Sequence, residues 1–369
     1  MYLSLTDEQQ FLREAAEGAL SRIKTVEAAR AVLDGEPPLD LWSAVAVDAG
    51  WPGLLVGEAA DGAGLGAYEA MLVLEACGRV LADARLLGHL PATALLDAAG
   101  SDAEVLGALA RGERRAALAD PALTEHDVAV TAEGGALHGT LRAVVDAVGA
   151  DVLVVVAQHG DGTPAAYVVE AGADGVRVEA ERAYDGTRAL AEVVLDGAAG
   201  LALAVTPEQV DEARALQRVL LAAESVGAAE GAMTMARDYA VDRHAFGRAI
   251  GSYQAIKHKV VEMLRRTEGA RSLLVQAGRA WERDRAAFPL AANAACVAAA
   301  DALDHAAPEN IFIHGGVGAT WEHDAMLFYR RAETSRRLAG GAEAAAVAVA
   351  ELLLAGSPAQ VEQQTVALR

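Results

Sequence analysis

Cysteine is nearly absent: Cys77 and Cys296 are the only two in 369 residues. Their separation matches no metal-ligand spacing and offers no disulfide framework. The nine histidines are scattered, so no metal site is expected. Basic residues are also short, 31 against 52 acidic ones, for a net charge of −21 and a pI near 4.8. Such a surface repels polyanions, which argues against nucleic acid or an anionic membrane as partner. No charge-free apolar run reaches about 18 residues, so no membrane-spanning helix is expected. Much of the 53% hydrophobic content is alanine, which forms helix and packs closely without making a span. The opening Met-Tyr-Leu-Ser-Leu-Thr-Asp-Glu has no basic stretch ahead of an apolar one and does not read as a signal peptide. A soluble, cytoplasmic protein is expected. No internal repeat or low-complexity tail is evident, although 342–355 is alanine-biased.

The chain is long enough for two or three hydrophobic cores. Residues 1–112 read as helical. Thr6-Asp-Glu-Gln9 is a capping box ahead of the apolar stripe Phe11, Leu12, Ala15, Ala16, Ala19 and Leu20. Asp40 caps a helix through Trp42, Val45 and Val47 that stops at Gly50. A further helix runs from Tyr68 to about Leu81. Ser101-x-x-Glu104 is a second capping box, and its helix closes at Gly112. Residues 113–200 change character. Short β-rich runs at Val128–Val130, Leu137–Leu141, Val152–Ala157, Ala165–Val169 and Val193–Leu195 alternate with Gly/Asp turns, the pattern of a small β-barrel or sandwich. Helical periodicity resumes over 201–369. Thr206-Pro-Glu-Gln209 caps a helix reaching Val241, another spans Gln254–Trp281, and a third runs from about Pro289 to Ala307. Helices, a strand block, then helices again make an α+β arrangement of three domains, 1–112, 113–200 and 201–369.

Two glycine-bearing turns stand out against this background. The first is Arg243-His-Ala-Phe246-Gly247-Arg248-Ala-Ile250-Gly251, between two long helices, with Gln254, Lys257 and His258 following. A permanently charged guanidinium and an aromatic ring beside such a hairpin suit a planar, phosphate-bearing molecule. A structural turn with a solvated arginine is the competing reading. The second is Ile313-His-Gly315-Gly316-Val-Gly318-Ala-Thr-Trp-Glu. There glycine lets backbone approach a ligand closely, with N–H groups facing a phosphate, although most Gly-Gly pairs are plain turns.

Together the two motifs resemble the signature of the acyl-CoA dehydrogenase family, as does Gly50-Trp-Pro-Gly-Leu…Gly62-Ala-Gly-Leu-Gly66 near the N-terminus. The resemblance spans essentially the whole chain. It implies an N-terminal helical domain, a middle β-barrel domain and a C-terminal four-helix bundle. It implies FAD as cofactor, an acyl-CoA substrate desaturated at the α,β-carbons, and electron-transfer flavoprotein as acceptor. Carried over residue by residue, Arg243, Phe246, Gln254, Gly315 and Gly316 are the cofactor-binding positions, reaching the FAD of a neighbouring subunit. Phe312 stands where the family usually has Gln.

The family's catalytic base is a Glu in one of two places, and removal of a thioester α-proton requires such a carboxylate. On this chain one place is Ala339 and the other is Gln217, directly ahead of Arg218. Glu224 lies seven residues after Gln217, about 10 Å along the helix, and is read as pairing with a neighbouring basic side chain. Glu333 and Glu343 sit near Ala339 in sequence but off its face. The segments with which family members hold their own flavin are eroded as well. Leu123-Thr-Glu-His-Asp-Val128 lacks the expected Gly-Ser-Asp, Gly139-Thr-Leu-Arg-Ala-Val-Val-Asp146 replaces Trp-Ile-Thr, and Gly341 replaces a Thr. The reading is a base-less subunit of a heteromeric, α2β2 acyl-CoA dehydrogenase. In some of these enzymes, acting on bulky thioesters such as steroid side chains, a homologous partner supplies the Glu. A self-sufficient homotetramer with an unrecognised base, and a flavin-free acyl-CoA-binding scaffold, are the alternatives.

Overall fold

The computed structural model describes residues 5–124, 129–158 and 162–367, with side chains as far as 355. The first helical layer comprises α1 (Asp7–Leu20), α2 (Thr25–Leu33), α3 (Ala67–Arg79), α4 (Leu86–Ala98) and α5 (Ala103–Ala110). Thr6 and Gln9 form the expected capping box. At α5 the cap is Asp102 rather than Ser101, its carboxylate accepting from the Glu104 and Val105 amides. The segment after Asp40 is only a short π-turn, Trp42–Ala46. Neither α2 nor α4 was foreseen. α4 is buried nearly all round and contains Pro91, so it lacks the one-sided apolar stripe that betrays a surface helix.

Eight strands follow: β1 (Ala116–Ala119), β2 (Thr131–Glu133), β3 (Ala136–Val145), β4 (Val152–Gln158), β5 (Pro164–Glu170), β6 (Val176–Glu181), β7 (Leu190–Ala199) and β8 (Leu201–Ala202). Their order is β6-β7-β3-β2-β4-β5-β8, with β1 pairing β4 in parallel. Val128 of the expected first strand lies outside the described residues, and the strand itself begins at Thr131. β4 reads Val-Leu-Val-Val-Val-Ala because both its faces are covered. Leu153 and Val155 point into the sheet's own core, while Val152 and Val154 join the helical core. β3 carries a bulge at Ala143, whose φ of 54° is left-handed.

The last layer holds α6 (Pro207–Asp242), a two-stranded hairpin of β9 (His244–Ala245) and β10 (Arg248–Ala249), then α7 (Gln254–Arg283), α8 (Phe288–His314), α9 (Ala325–Ser335) and α10 (Gly341–Ala367). α6 is the central helix, packed on α3, α4, α7, α8 and α9. Gly78 of α3 and Gly227 of α6 let two backbones meet: a methyl at either would strike the other helix's carbonyl. α8 runs past Ala307, the end expected from sequence, through Pro308 to His314. Packing against α6 and α7 outweighs the lost hydrogen bond, which costs about 3 kcal/mol. Among the described residues two apolar stretches, Arg285–Ala319 and Leu338–Ala355, are long and apolar enough to cross a membrane by length and composition. The first is mainly α8, inside the bundle. Both stretches contain charged residues, Asp301 and Asp304 in the first and Glu343 and Glu351 in the second, so neither is a charge-free run.

Candidate functional site

Three helix ends build one exposed face. At the end of α6 the chain turns extended at Arg243, whose N–H donates to Tyr239 O at 2.8 Å. The hairpin tip is Phe246 (φ 53°) and Gly247 (φ 82°), successive left-handed residues as in a type I′ turn. The Phe246 side chain is 98% exposed, and Tyr253 Oη steadies the hairpin by donating to Ala245 O at 3.1 Å. Gln254 opens α7. The Tyr239 and His314 rings lie 4.3 Å apart, joining the ends of α6 and α8. Lys259 Nζ sits 4.1 Å over the Phe312 ring, joining the start of α7 to the end of α8. So Arg243, Phe246, Gln254, Gly315 and Gly316 all lie at one end of the bundle, and all five are exposed. Among the described residues no carboxylate pairs with Arg243, despite the chain's acidic excess. One detail departs from expectation. Gly315 adopts φ 67°, ψ −145°, a conformation only glycine holds comfortably, but its N–H is already engaged by Phe312 O.

Gln217 and Ala339, the two positions expected for a base, lie on different elements that meet through Arg218. Arg218 Nε donates to Ala339 O at 3.0 Å, and its terminal nitrogen donates to Asn293 Oδ1 at 2.9 Å. Gln217 and Ala339 are both buried, and Ala339 is left-handed at φ 55°. Neither presents a carboxylate.

Glu224 is committed elsewhere. It pairs with Arg188 and, at 3.2 Å, with Arg331. Arg331 also donates to Asp185 at 2.5 Å, to Thr187 Oγ1 at 2.6 Å and to Leu81 O at 3.2 Å. This buried network ties the first helical layer, the sheet and the bundle together. Burial alone would raise Asp185, but the charges of Arg331 and Arg188 hold its carboxyl below the usual range. Burial lowers Arg188 to about 10. Nearby Asp146, buried and close to the Asp83 charge, is pushed up to about 7.

Between the sheet and α9 lies a cleft of about 470 Å³ that includes Ala143, Glu181, Tyr184, Glu333, Thr334 and Leu338 in its walls. Beyond segment 181–184 it meets a second, about 840 Å³, with Arg182, Trp321 and Arg330 in its wall. Ala143 belongs to the segment that replaces Trp-Ile-Thr. Its N–H donates to Glu181 Oε2 at 3.0 Å. Glu333, expected off the face of Ala339, reaches this cleft and pairs with Arg336 at 2.7 Å. Glu181 was missed because nothing local in sequence brings β6 against β3, and Glu333 was weighed but set aside because nothing local aims α9 at the sheet. Residues 125–128 of the other eroded segment lie outside the described residues.

The acyl-CoA dehydrogenase N-terminal domain model matches residues 6–113 and the C-terminal domain model residues 208–354. Acyl-CoA dehydrogenase IpdE2 of Mycobacterium tuberculosis is 32% identical over 342 residues, covering 90% of this chain and 93% of that protein. The chain belongs to the acyl-CoA dehydrogenase family. FadE34 of the same organism is 33% identical, over 92% of this chain but 47% of its own length. Among solved structures, the ChsE4–ChsE5 complex from Mycobacterium tuberculosis matches with a TM-score of 0.86 at 26% identity, covering 97% of this chain and all of that one. A Tcur3481–Tcur3483 steroid ACAD variant matches with a TM-score of 0.86 at 27% identity, covering 95% and 99%.

Acyl-CoA dehydrogenases imply FAD, and the two faces of this chain differ in how they suit it. The exposed bundle end offers an unpaired guanidinium, an open aromatic ring and glycine backbone, a fit for the anionic and planar parts of a dinucleotide. The 470 Å³ cleft suits it poorly. The Ala143 amide is already taken by Glu181, which also pairs with Arg142, so a carboxylate stands at the strand bulge.

Proposed function

We propose that this chain is the supporting, base-less subunit of an FAD-dependent acyl-CoA dehydrogenase, assembled as an α2β2 heterotetramer in the cytoplasm. A homologous partner carries the catalytic Glu. The observation that carries the reading is that Arg218, next to Gln217 on α6, bonds the Ala339 carbonyl, and neither expected base position holds a carboxylate. FAD, when bound, would supply the hydride acceptor for the β-carbon, with electron-transfer flavoprotein as the expected electron acceptor. This chain's part is to complete the partner's flavin site. The Arg243 guanidinium binds a phosphate oxygen, Phe246 covers an apolar part of the cofactor, and Gln254 with Gly315 and Gly316 finishes the wall. Bulky acyl-CoA thioesters, steroid side chains among them, are the substrate class, in keeping with the steroid ACAD variant it resembles.

The test is flavin content per heteromer, purified from the native host through a tag on this chain, for wild type and Arg243→Ala. Losing a charge-assisted contact of about 1.5–3 kcal/mol weakens flavin retention about 10- to 150-fold while gel filtration still shows assembly. Unchanged flavin rejects the role, and loss of assembly makes Arg243 structural. A complex that carries no flavin at all supports the scaffold reading. One observation favours a self-sufficient enzyme: Glu333 faces the cleft. Its pairing with Arg336 weighs against it as a free base.

A further inference from the structure

We infer that the cleft of about 840 Å³ beyond segment 181–184 is a separate binding site for a small organic oxyanion, a carboxylate or phosphate carried on a flat ring. The inference goes beyond the proposed role in the heteromer and does not depend on it. The volume falls in the range of small-molecule sites, about 300–1,000 Å³. Arg182, Arg188 and Arg330 all stand in its wall, three guanidiniums gathered in a chain of net charge −21. Two carboxylates, Asp34 and Glu181, share that wall. Glu181 is engaged by Arg142 and the Ala143 amide, and Arg188 by Glu224. What remains is Arg182 and Arg330 against Asp34, a positive balance.

Each guanidinium keeps hydrogen-bonding capacity in reserve. Among the described residues no carboxylate pairs with Arg182. Arg330 gives Nη1 to Tyr184 O at 3.0 Å, while its Nε is buried without a partner. The Arg188 side chain is fully buried. Its Nε and Nη1 also lack a partner, Asp83 lying 4.0 Å from Nη1, beyond hydrogen-bond reach. Buried N–H groups without acceptors are costly, and the planar fork of arginine matches the oxygens of a carboxylate or phosphate. The aromatic rings define the rest of the ligand. Trp321 is 66% exposed and Tyr184 50%, although aromatic residues make up only 4% of the chain. The Arg330 guanidinium lies 4.5 Å from the Tyr184 ring centroid and steadies that ring at the wall. Aromatic surfaces beside a guanidinium cluster fit a planar body with an anionic substituent.

The test is isothermal titration calorimetry of the tagged native complex with inorganic phosphate, phenyl phosphate and benzoate. Saturable binding is expected, tighter for a ring-bearing probe than for inorganic phosphate, and the tighter of phenyl phosphate and benzoate names the anionic group. Arg182→Gln weakens that probe about 10- to 150-fold, and Arg182→Lys recovers part of the loss. Trp321→Ala weakens it about 2- to 12-fold while inorganic phosphate binds as before. No saturable binding by any probe overturns the assignment. So does binding that neither Arg182→Gln nor Trp321→Ala alters, which is an adventitious ion only. Gel filtration shows intact complex for every variant; dissociation would make this face a protein–protein contact and likewise overturn the assignment.

Discussion

Replacing Arg331 by methionine isolates what the buried ion network contributes. Methionine approximates the arginine stem, so the change deletes charge more than volume. Arg331 is 1% exposed and bonds four groups: Asp185, Glu224, Thr187 and the Leu81 carbonyl. After the change Glu224 keeps Arg188, and Asp185 keeps the Thr187 amide and hydroxyl. Asp185 loses its directly bonded cation and keeps only the nearby Arg188 charge, a loss of up to about 3–5 kcal/mol for a pair broken at one end. Asp185 sits below the usual carboxylate range because the nearby guanidinium charges overcome its burial. In wild type that stabilisation is present above the unfolded carboxyl value and fades only as pH falls through the depressed one. In Arg331→Met burial works against a weaker opposing charge and Asp185 titrates higher than in wild type, so the deficit is present at neutral pH and shrinks as acid protonates Asp185. Urea unfolding followed by far-UV circular dichroism at pH 7 and pH 5 reads both effects. Adding Asp185→Asn recovers part of the loss at pH 7, because a neutral amide needs no counter-charge. A variant within about 1 kcal/mol of wild type, or a gap that does not narrow at pH 5, refutes the argument.

Gly227→Ala drives a methyl into the Glu75 carbonyl on α3 and lowers stability by at least about 2–3 kcal/mol. Gly269→Ala, an exposed mid-helix site with nothing near its added methyl, gains up to about 1 kcal/mol from helix propensity; paired melts measure both. Asp146 is raised to about 7 by burial and by Asp83, so the folded state holds an extra proton and loses stability as pH climbs from about 4 to 7. Asp146→Asn removes that slope, gaining on the order of 1–3 kcal/mol over wild type at pH 7.5 relative to pH 4; parallel unfolding curves that stay evenly spaced across this range contradict it.

The parts of the fold legible in sequence were those written locally. Capping boxes at Thr6 and Thr206 depend on residues three apart, and both formed. The runs at Val152–Ala157 and Ala165–Val169 fell on paired strands. The Arg243 hairpin was legible because Gly247 and Gly251 interrupt two long helical runs; the left-handed conformation of Phe246 was not. What stayed hidden depends on distant partners. Arg331 meets Asp185 across 146 residues and Glu224 across 107, and nothing near it in sequence names those partners. The carboxylate of Glu181 reaches the Ala143 amide only because the β3 bulge turns that amide toward β6. Likewise, Pro308 read as a stop because the packing that carries α8 through it comes from α6 and α7. That α6 meets the Ala339 turn could be expected only from the family resemblance; the contact is the Arg218 hydrogen bond to the Ala339 carbonyl.

On the proposed reading this chain completes an active site without supplying its base. The most direct measurement is acyl-CoA oxidation with an artificial electron acceptor and added FAD, by the purified chain alone and by the native heteromer carrying it. Turnover by the heteromer and none by the isolated chain is the expected result, since Gln217 and Ala339 leave both base positions without a carboxylate. Clear turnover by the isolated chain contradicts the account.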